Sequence, residues 1–528
     1  MKRRGITTFG TAVVLGALVA CSSPSAVEES ASESESSEVE QEQSVRDELN
    51  IAQTAQPPTL DTAQTVSAVA LDIAGNIYQQ LFQLDGNYEP QPILAESYEL
   101  SDDGKTYTIA LRKGIQFHNG EEMTAEDVVA SMNRWLTVSS RAKELLDGAT
   151  FTEVDRYTVE LTVEQATSDV LILLASQAQF PSIMPKEIVE SASADGFEEY
   201  VGTGPYQFDD WQQDQYIRLV RNDDFQSLEG EPSGFTGEIN APTEALTYHF
   251  VSDHFTRISG LQTGLYDIAD SIPLENYDLL EEDESIEIES VPGGTLTAFF
   301  NTNEGVLSDE ELRHVVLAAL DNEEIMLASY PLPELFSLDP GYLNENQEQW
   351  ATDAGADYYN QADPDLAMQL LKETDYDGEE ITILTTPDYN EMYNGSLVIQ
   401  EQLRNIGMNV SVDTFDFATF LETKDDRSRW DLFLASTGYQ LTPPQLLAVT
   451  PEWAGLDDEQ VRSGLMAVRE AASQEEAAEE WANVQQYLYE IGSSTVLGHY
   501  DSFVAVHEDV EGFELFEAPV VWNASIKE

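Results

Sequence analysis

Cysteine is almost absent: among 528 residues only Cys21 carries a thiol, so no intrachain disulfide can form. Basic residues are scarce too, 24 Lys and Arg against 99 Asp and Glu, for a formal net charge of −75. A surface of that sign repels polyanions, which excludes nucleic acid as a partner. Between Ile258 and Leu371 the only basic residue is Arg313. The six histidines form no H-x-x-x-H pair, and His249 and His254, five apart beside the strand-like Tyr248–Val251, do not make a metal site. No serine sits in a nucleophile elbow. Gly202-Thr203-Gly204-Pro205 lacks the Lys-Ser/Thr of a phosphate loop. Acids are so numerous that no pair of them points to glycosidase chemistry. These absences leave no catalytic residue, no metal and no cofactor to assign. Beyond residue 20 no apolar run is long enough to span a bilayer, and no fixed-period repeat occurs.

The start of the chain is informative. Lys2, Arg3 and Arg4 precede an apolar stretch from Ile6 to Ala20, and Leu18-Val19-Ala20 leads into Cys21. A basic start, a short apolar run and a small residue before the cut describe an export signal over residues 1–20. A cysteine at the cut resembles the lipobox of bacterial lipoproteins, in which that thiol is acylated. With Cys21 lipidated no free thiol remains, so cysteine nucleophiles and thiolate metal sites are excluded as well. From Ser22 to about Glu42 the chain is nearly all Ser, Glu, Ala and Gln, too polar to repay the entropy of ordering. Residues 21–47 read as a self-repelling tether. The remaining acids are scattered, as in a heavily solvated surface suited to salty surroundings.

The rest, about 480 residues, exceeds one hydrophobic core and implies two or three lobes. The fold should begin near Glu48, with Leu49–Ala52 as a short strand. Helical spacing of Val69, Ile73, Ile77 and Leu81 predicts a helix over Ser67–Leu81. Tyr107–Leu111 alternates as a strand. Thr124, with Glu126 and Asp127, opens a helix running through Trp135. Tyr157–Val163, Ile217–Val220, Glu380–Thr385 and Asn409–Thr414 read as strands. Asp309–Ala319, Asp365–Lys372, Ser396–Ile406, Glu459–Ala472 and Glu475–Tyr489 read as helices. Such alternation argues an α/β architecture.

Several segments then carry a family resemblance. They are Leu94-Ala95-Glu96-Ser97-Tyr98, Asp103-Gly104-Lys105-Thr106-Tyr107-Thr108, Leu111 through Gly120 and Thr124-Ala125-Glu126-Asp127-Val128. Together they resemble the signature of family 5 extracellular solute-binding proteins, the peptide, dipeptide and nickel receptors of ABC importers. Pro58-Thr59-Leu60-Asp61 and Ile77-Tyr78-Gln79-Gln80-Leu81 are similar to the family's start, with Thr62 where a proline is usual. Gly202-Thr203-Gly204-Pro205-Tyr206, Arg221-Asn222-Asp223-Asp224-Phe225 and Asn301-Thr302-Asn303 followed by Leu312–Asp321 resemble later blocks. The residues themselves describe turns and tight backbone passages, scaffold rather than ligand chemistry.

The resemblance implies a two-lobed periplasmic-binding-protein fold, one lobe from residues 48–295 plus 500–528 and the other from 296–499. It implies crossover strands near Thr295–Asn301 and Thr495–Tyr500, and a ligand enclosed between the lobes. Peptide-binding members hold the ligand's amino terminus on an aspartate; alignment of Asp431–Pro444 puts Gln440 there and Thr437 in place of an aromatic. Nickel receptors use an arginine in the segment matching Ala178-Gln179-Phe180-Pro181, where none stands. Thr65, Arg141, Gln179, Phe180, Phe300, Asn301, Tyr439, Gln440 and Trp453 are the candidate ligand-binding residues, with packing or an exposed loop as the competing reading of each. The expected function is delivery of an oligopeptide or similar solute to an ABC permease by a monomeric lipoprotein on the outer face of the cell membrane. A membrane-anchored hydrolase or a solute sensor without transport is the alternative.

Overall fold

The computed structural model describes residues 46–527 apart from 194, 195, 198, 455 and 472. The export signal, Cys21 and the tether up to residue 45 lie outside the described residues. Aliphatic and aromatic alternation builds an eleven-stranded mixed sheet. In chain order its strands are β1 (Glu48–Gln53), β2 (Tyr206–Gln212), β3 (Tyr216–Arg221), β4 (Ala245–Phe250), β5 (Ile268–Ala269), β6 (Ile286–Phe300), β7 (Glu380–Thr385), β8 (Asn409–Thr414), β9 (Leu432–Gly438) and β10 (Ser494–His507). Their order across the sheet is β8-β7-β9-β6-β10-β5-β1-β4-β3-β2, and the two-residue strand Phe336–Ser337 pairs with β10 off this path. β1 lies parallel between β4 and β5, and β7 lies parallel between β8 and β9. A separate four-stranded sheet takes Ala95–Leu100, Thr106–Leu111, Thr158–Thr162 and Thr150–Asp155 in that order.

The expected elements form, with instructive edges. Helix α1 (Ala68–Ile77) stops a turn before the predicted end at Leu81. Its last carbonyl, Ile77 O, accepts from Gly204 N–H at 2.9 Å, and Tyr78 is already extended. Tertiary structure here replaces the next helical hydrogen bond. The backbone of Gly202 and Gly204 lies so near the end of α1 that a Cβ on either would strike the carbonyl of Ile77 or Asn76. His118 clamps this passage: Gly202 N–H donates to Nδ1 at 3.3 Å, and Nε2 donates to Gly204 O at 3.0 Å. Burial pushes its pKa down to about 4, so the ring is neutral. Helix α2 (Ala125–Val138) begins at Thr124 in a capping box with Asp127, whose carboxylate accepts from Thr124 N–H at 2.8 Å.

Two sets of packed side chains sit on opposite halves of the main sheet. One core is drawn only from residues between Leu296 and Leu497, around Phe299, Phe433, Trp430 and Trp481. The other half holds β1, β4 and β5 against α1, through Leu49, Ile51, Leu246, Ile268, Leu71 and Ile73. A third cluster joins the small sheet to α2. Arg313, the lone cation of its stretch, is 4% exposed and donates its guanidinium to the carbonyls of Ile491, Leu307 and Ser308. It therefore adds no positive charge to the outer surface. Among the described residues no helix is long and apolar enough to cross a membrane.

Candidate ligand site

β6 and β10 are the longest strands and run side by side through both halves of the sheet. Their far ends pair Ile286–Val291 with Ser502–His507, next to β5; their near ends pair Gly294–Phe299 with Ser494–Tyr500, next to β9. The register slips between Pro292 and Gly294. The segments expected as crossovers, Thr295–Asn301 and Thr495–Tyr500, lie inside these longer strands except for Asn301, one residue past the end of β6, and on the β9 side of the slip. Proline has no N–H for the ladder, and Gly294 takes φ +151° beside Gly438, where a Cβ would collide with Thr437 O.

Polar and aromatic side chains gather around this crossing. Tyr500 stacks on Tyr330 at 4.8 Å with the rings 9° apart. The Tyr330 hydroxyl lies 3.1 Å from Ser436 Oγ, and the Tyr500 hydroxyl donates to Thr437 O at 3.3 Å. A small crevice here is lined by Thr295, Asn344, Gln347, Tyr439, Gln440 and His499, among others. The Tyr439 hydroxyl donates to Asn346 Oδ1 at 2.7 Å. Its ring stacks on Tyr88 at 5.1 Å, and Tyr88 packs on Phe516 at 4.7 Å. Leu441 is buried among residues of the small-sheet core. The 439–441 loop thus reaches from β9 onto the opposite half of the molecule. A second bridge joins Arg469 to that half: its carbonyl accepts from Ser168 N–H at 3.1 Å and its guanidinium sits 3.4 Å from Asp169.

The structure sorts the sequence candidates. Tyr439 and Gln440 share the crevice; the Gln440 amide donates to Gly438 O at 2.9 Å and its carbonyl accepts from Gln347 at 2.8 Å. Thr65 is half-buried in the loop between β1 and α1, its hydroxyl accepting from Ser67 N–H. Gln179 is buried with Oε1 unpartnered. Trp453 packs on Phe433 beneath the ammonium of Lys424, 4.8 Å from its ring centre. Arg141 falls in the short helix Ser140–Leu145, its side chain outside the described set. Three more candidates lie in the interior. Phe180 and Phe300 are fully buried in two different cores. Asn301 is also fully buried, donating to Arg427 O and Trp430 O at 2.7 and 2.8 Å and accepting from Asn303 and Glu304 N–H. Every hydrogen-bonding atom of its amide is spent on turns, so none remains for a ligand. A wider surface hollow lies elsewhere, between Glu96, Arg112 and Lys113, and Arg112 there is occupied by carbonyls of Ile93 and Gln226.

Residues missed from sequence are the acids at the crossing. Glu391 acts electrostatically on Tyr330 and Tyr500, and Glu517 on Tyr88 and Tyr439. Both are partly exposed yet crowded by protein, the condition of a carboxyl in a crevice wall, and burial raises both pKa values, Glu517 to about 7. Asp501, one residue past Tyr500, is raised for the same reason. With 99 acids in the chain, no sequence signal singles these out. The folded state holds the Glu517 proton more tightly than the unfolded state, so stability falls as pH rises from the unfolded value through 7. Glu517→Gln should therefore raise the ligand-free melting temperature at pH 8, on the order of 2 °C, with the gain shrinking several-fold by pH 5. An equal shift at both pH values would contradict the assignment.

Comparison with known proteins fits this geometry. Residues 89–450 match the family model described as bacterial extracellular solute-binding proteins, family 5 Middle. The chain belongs to this family. A probable peptide ABC transporter periplasmic-binding protein, y4tO, of Sinorhizobium fredii is 26% identical over 393 residues, covering 71% of this chain and 72% of that protein. The glutathione-binding protein GsiB of Salmonella paratyphi A is 28% identical over 367 residues, 68% and 67% of the two chains. Among solved structures, the ABC transporter substrate-binding protein CtaP of Listeria monocytogenes superposes with a TM-score of 0.79 at 21% identity, over 92% of this chain and all of that one. The dipeptide-binding protein of Pseudoalteromonas sp. SM9913, in complex with Met-Leu, gives 0.71 at 23% identity, over 91% and 100%. Family 5 membership makes this chain a solute-binding protein. The two-lobed α/β architecture expected from sequence is the fold of these neighbours.

Proposed function

We propose that this protein is the substrate-binding component of an ABC importer, capturing a peptide or similar small solute between two lobes and handing it to a permease. The observation that carries the reading is the crossing of β6 and β10 between two separate cores, with the Tyr439 loop closing onto Tyr88 across it. The lobes are residues 48–295 plus 500–528, and 296–499. The hinge is the register slip at Pro292–Gly294 with its partner Tyr500–Ser502, where a Pro and two Gly interrupt the ladder. Closure over a solute would shield it from water and tighten each polar contact. Membership of a solute-binding family and relatives named for peptide and glutathione binding support this class of cargo.

The export signal ends at Ala20, Cys21 is acylated, and the acidic tether gives the receptor reach above the membrane. Cys21→Ser should move the protein from the membrane fraction to the medium in its own host; unchanged membrane retention would refute the anchor. For capture, the test is purified protein with a peptide library, read by native mass spectrometry, thermal shift and small-angle scattering. A bound peptide should be recovered intact, shrink the radius of gyration and stabilise the fold by about 2.7 kcal/mol at a hundredfold excess over Kd. Hydrolysis of the bound peptide, or stabilisation with no closure, would overturn the reading.

A further inference from the structure

The ends of two parallel strands beside the crossing carry polar groups that nothing in the scaffold explains. Ile51 of β1 stands opposite Ile268 of β5, and Ala52 opposite Ala269. One residue further, Gln53 comes level with Asp270, whose N–H donates to Ala52 O at 3.2 Å. Alternation sends Ile51 and Ile268 into the core beneath α1, so Gln53 and Asp270, two residues on, face the same side. Helix α1 crosses that side. Asn76 donates to the hydroxyl of Tyr248, which is level with Ile51, and Asp72, one turn earlier on the helix, comes level with the strand ends.

Asp72, Gln53 and Asn76 are buried and short of partners, and Asp270 beside them is half-buried. Asp72 is 8% exposed, and no donor among the described residues reaches its carboxylate. Gln53 is fully buried with neither amide atom paired, and Asn76 Oδ1 lacks a donor too. Asp270 is met only by its neighbour Ser271, from N–H at 2.6 Å and Oγ at 3.2 Å, with Ser271 held at φ +54°. The nearby cation Arg257 gives its guanidinium to the carbonyls of Val251, Ser252 and Ser271, and so holds the loop and reaches Asp270 only electrostatically. Burial raises the pKa of Asp72, and Asp270 raises it further. Buried carboxylate and amide oxygens short of donors cost stability unless something that donates joins them.

We propose that Asp72, Asp270 and Gln53 form a subsite for a cationic group of the captured solute, an ammonium or guanidinium. This rests on the capture reading above and names the chemistry of the cargo. β5 runs antiparallel to β10, and continuing from Asp270 leads toward Tyr500–Ser502, so this strand end points toward the crossing. An ammonium carries three donors and no acceptor, matching two carboxylates and an amide oxygen. The described residues contain no group of three His, Cys, Asp or Glu able to hold a metal ion, which favours an organic cation. Glu391 and Glu517 act on the tyrosines at the crossing and add further carboxyls there. Because Asp72 is enclosed, salt screens it far less than it screens the acidic surface.

The test compares N-terminally acetylated Ala-Lys-Ala, the same peptide with Nε-acetyllysine, and N-terminally acetylated Ala-Glu-Ala, alongside free lysine, putrescine, KCl and CaCl2, on the full chain and its Asp72→Asn variant by calorimetry and thermal shift. The lysine peptide should bind at least roughly tenfold tighter than the acetylated one, and Asp72→Asn should abolish that preference while leaving the acetylated peptide's affinity within about threefold. If Asp72→Asn fails to fold, Asp270→Asn is read in its place. Peptides bound without regard to charge would overturn the subsite and leave the capture of peptides standing. Binding of lysine or putrescine, lost on Asp72→Asn, with no peptide bound, would uphold the subsite and refute peptide as cargo. Asp72-dependent stabilisation by KCl or CaCl2 alone, or no saturable binding of any cation, would overturn the proposal.

Discussion

Arg134→Ala should destabilise the protein by about 3–5 kcal/mol, because it strands a buried charge. Asp61 is fully buried, and its two carboxylate oxygens accept from Arg134 Nη1 and Nη2 at 2.9 and 2.5 Å. Arg134 itself has a side chain only 14% exposed and lies over the Phe197 ring at 4.3 Å. Asp61 Oδ1 also accepts from Ala63 N–H, so the pair anchors the loop from β1 to α1. Removing the guanidinium leaves a carboxylate with one backbone donor and no water to replace its partner. Attraction and desolvation nearly cancel while both charges are present, so the double variant Asp61→Asn, Arg134→Met should lose much less than Arg134→Ala. Urea unfolding of the three proteins measures this. A loss under about 1 kcal/mol for Arg134→Ala would show that the loop is held by other contacts.

The second large effect is at the crossing. Gly294→Val should prevent native packing of the β9 half or cost more than about 3 kcal/mol, since two penalties combine. At φ +151° a branched side chain is strained, and its Cβ would occupy the position of Thr437 O, in the strand paired with it. The neighbouring strand cannot retreat, because Thr437 Oγ1 is within 3.0 Å of Thr295 Oγ1 and its carbonyl takes the Tyr500 hydroxyl. Gly114→Ala is the control: it shares a positive φ, +77°, but nothing lies within 4 Å of its Cβ, so only about 1 kcal/mol of backbone strain should appear. Thermal unfolding of both variants compares collision with strain. Equal shifts would show that the crossing tolerates a side chain.

Much of this architecture was legible beforehand because local chemistry specified it. Glu380–Thr385 and Asn409–Thr414 form as strands with the limits read from alternation. Thr124 and Asp127 make the capping box that their spacing announces. The Gly202–Gly204 passage was recognisable as tight, though its cause, the end of α1 and the His118 clamp, is a contact across 84 and more residues. The site was less legible. Tyr439 and Gln440 lie at the crevice, but Phe180, Phe300 and Asn301 turned out to be core and turn supports. A phenylalanine or an asparagine has the same appearance in a sequence whether its neighbours leave it an opening or fill every contact.

By itself the sequence determined the secondary structure, the α/β class, the family signature and the sign of the whole surface. Those follow from periodicity, turn chemistry and composition, which act over a few residues or over the chain as a sum. Only the tertiary structure decided which of 99 acids matter. Asp72, Asp270, Glu391, Asp501 and Glu517 differ from the rest in what surrounds them, not in what precedes or follows them. Their raised pKa values come chiefly from desolvation by the protein that folding packs around them. Desolvation depends on distance in space, and that distance is fixed only when the chain has folded.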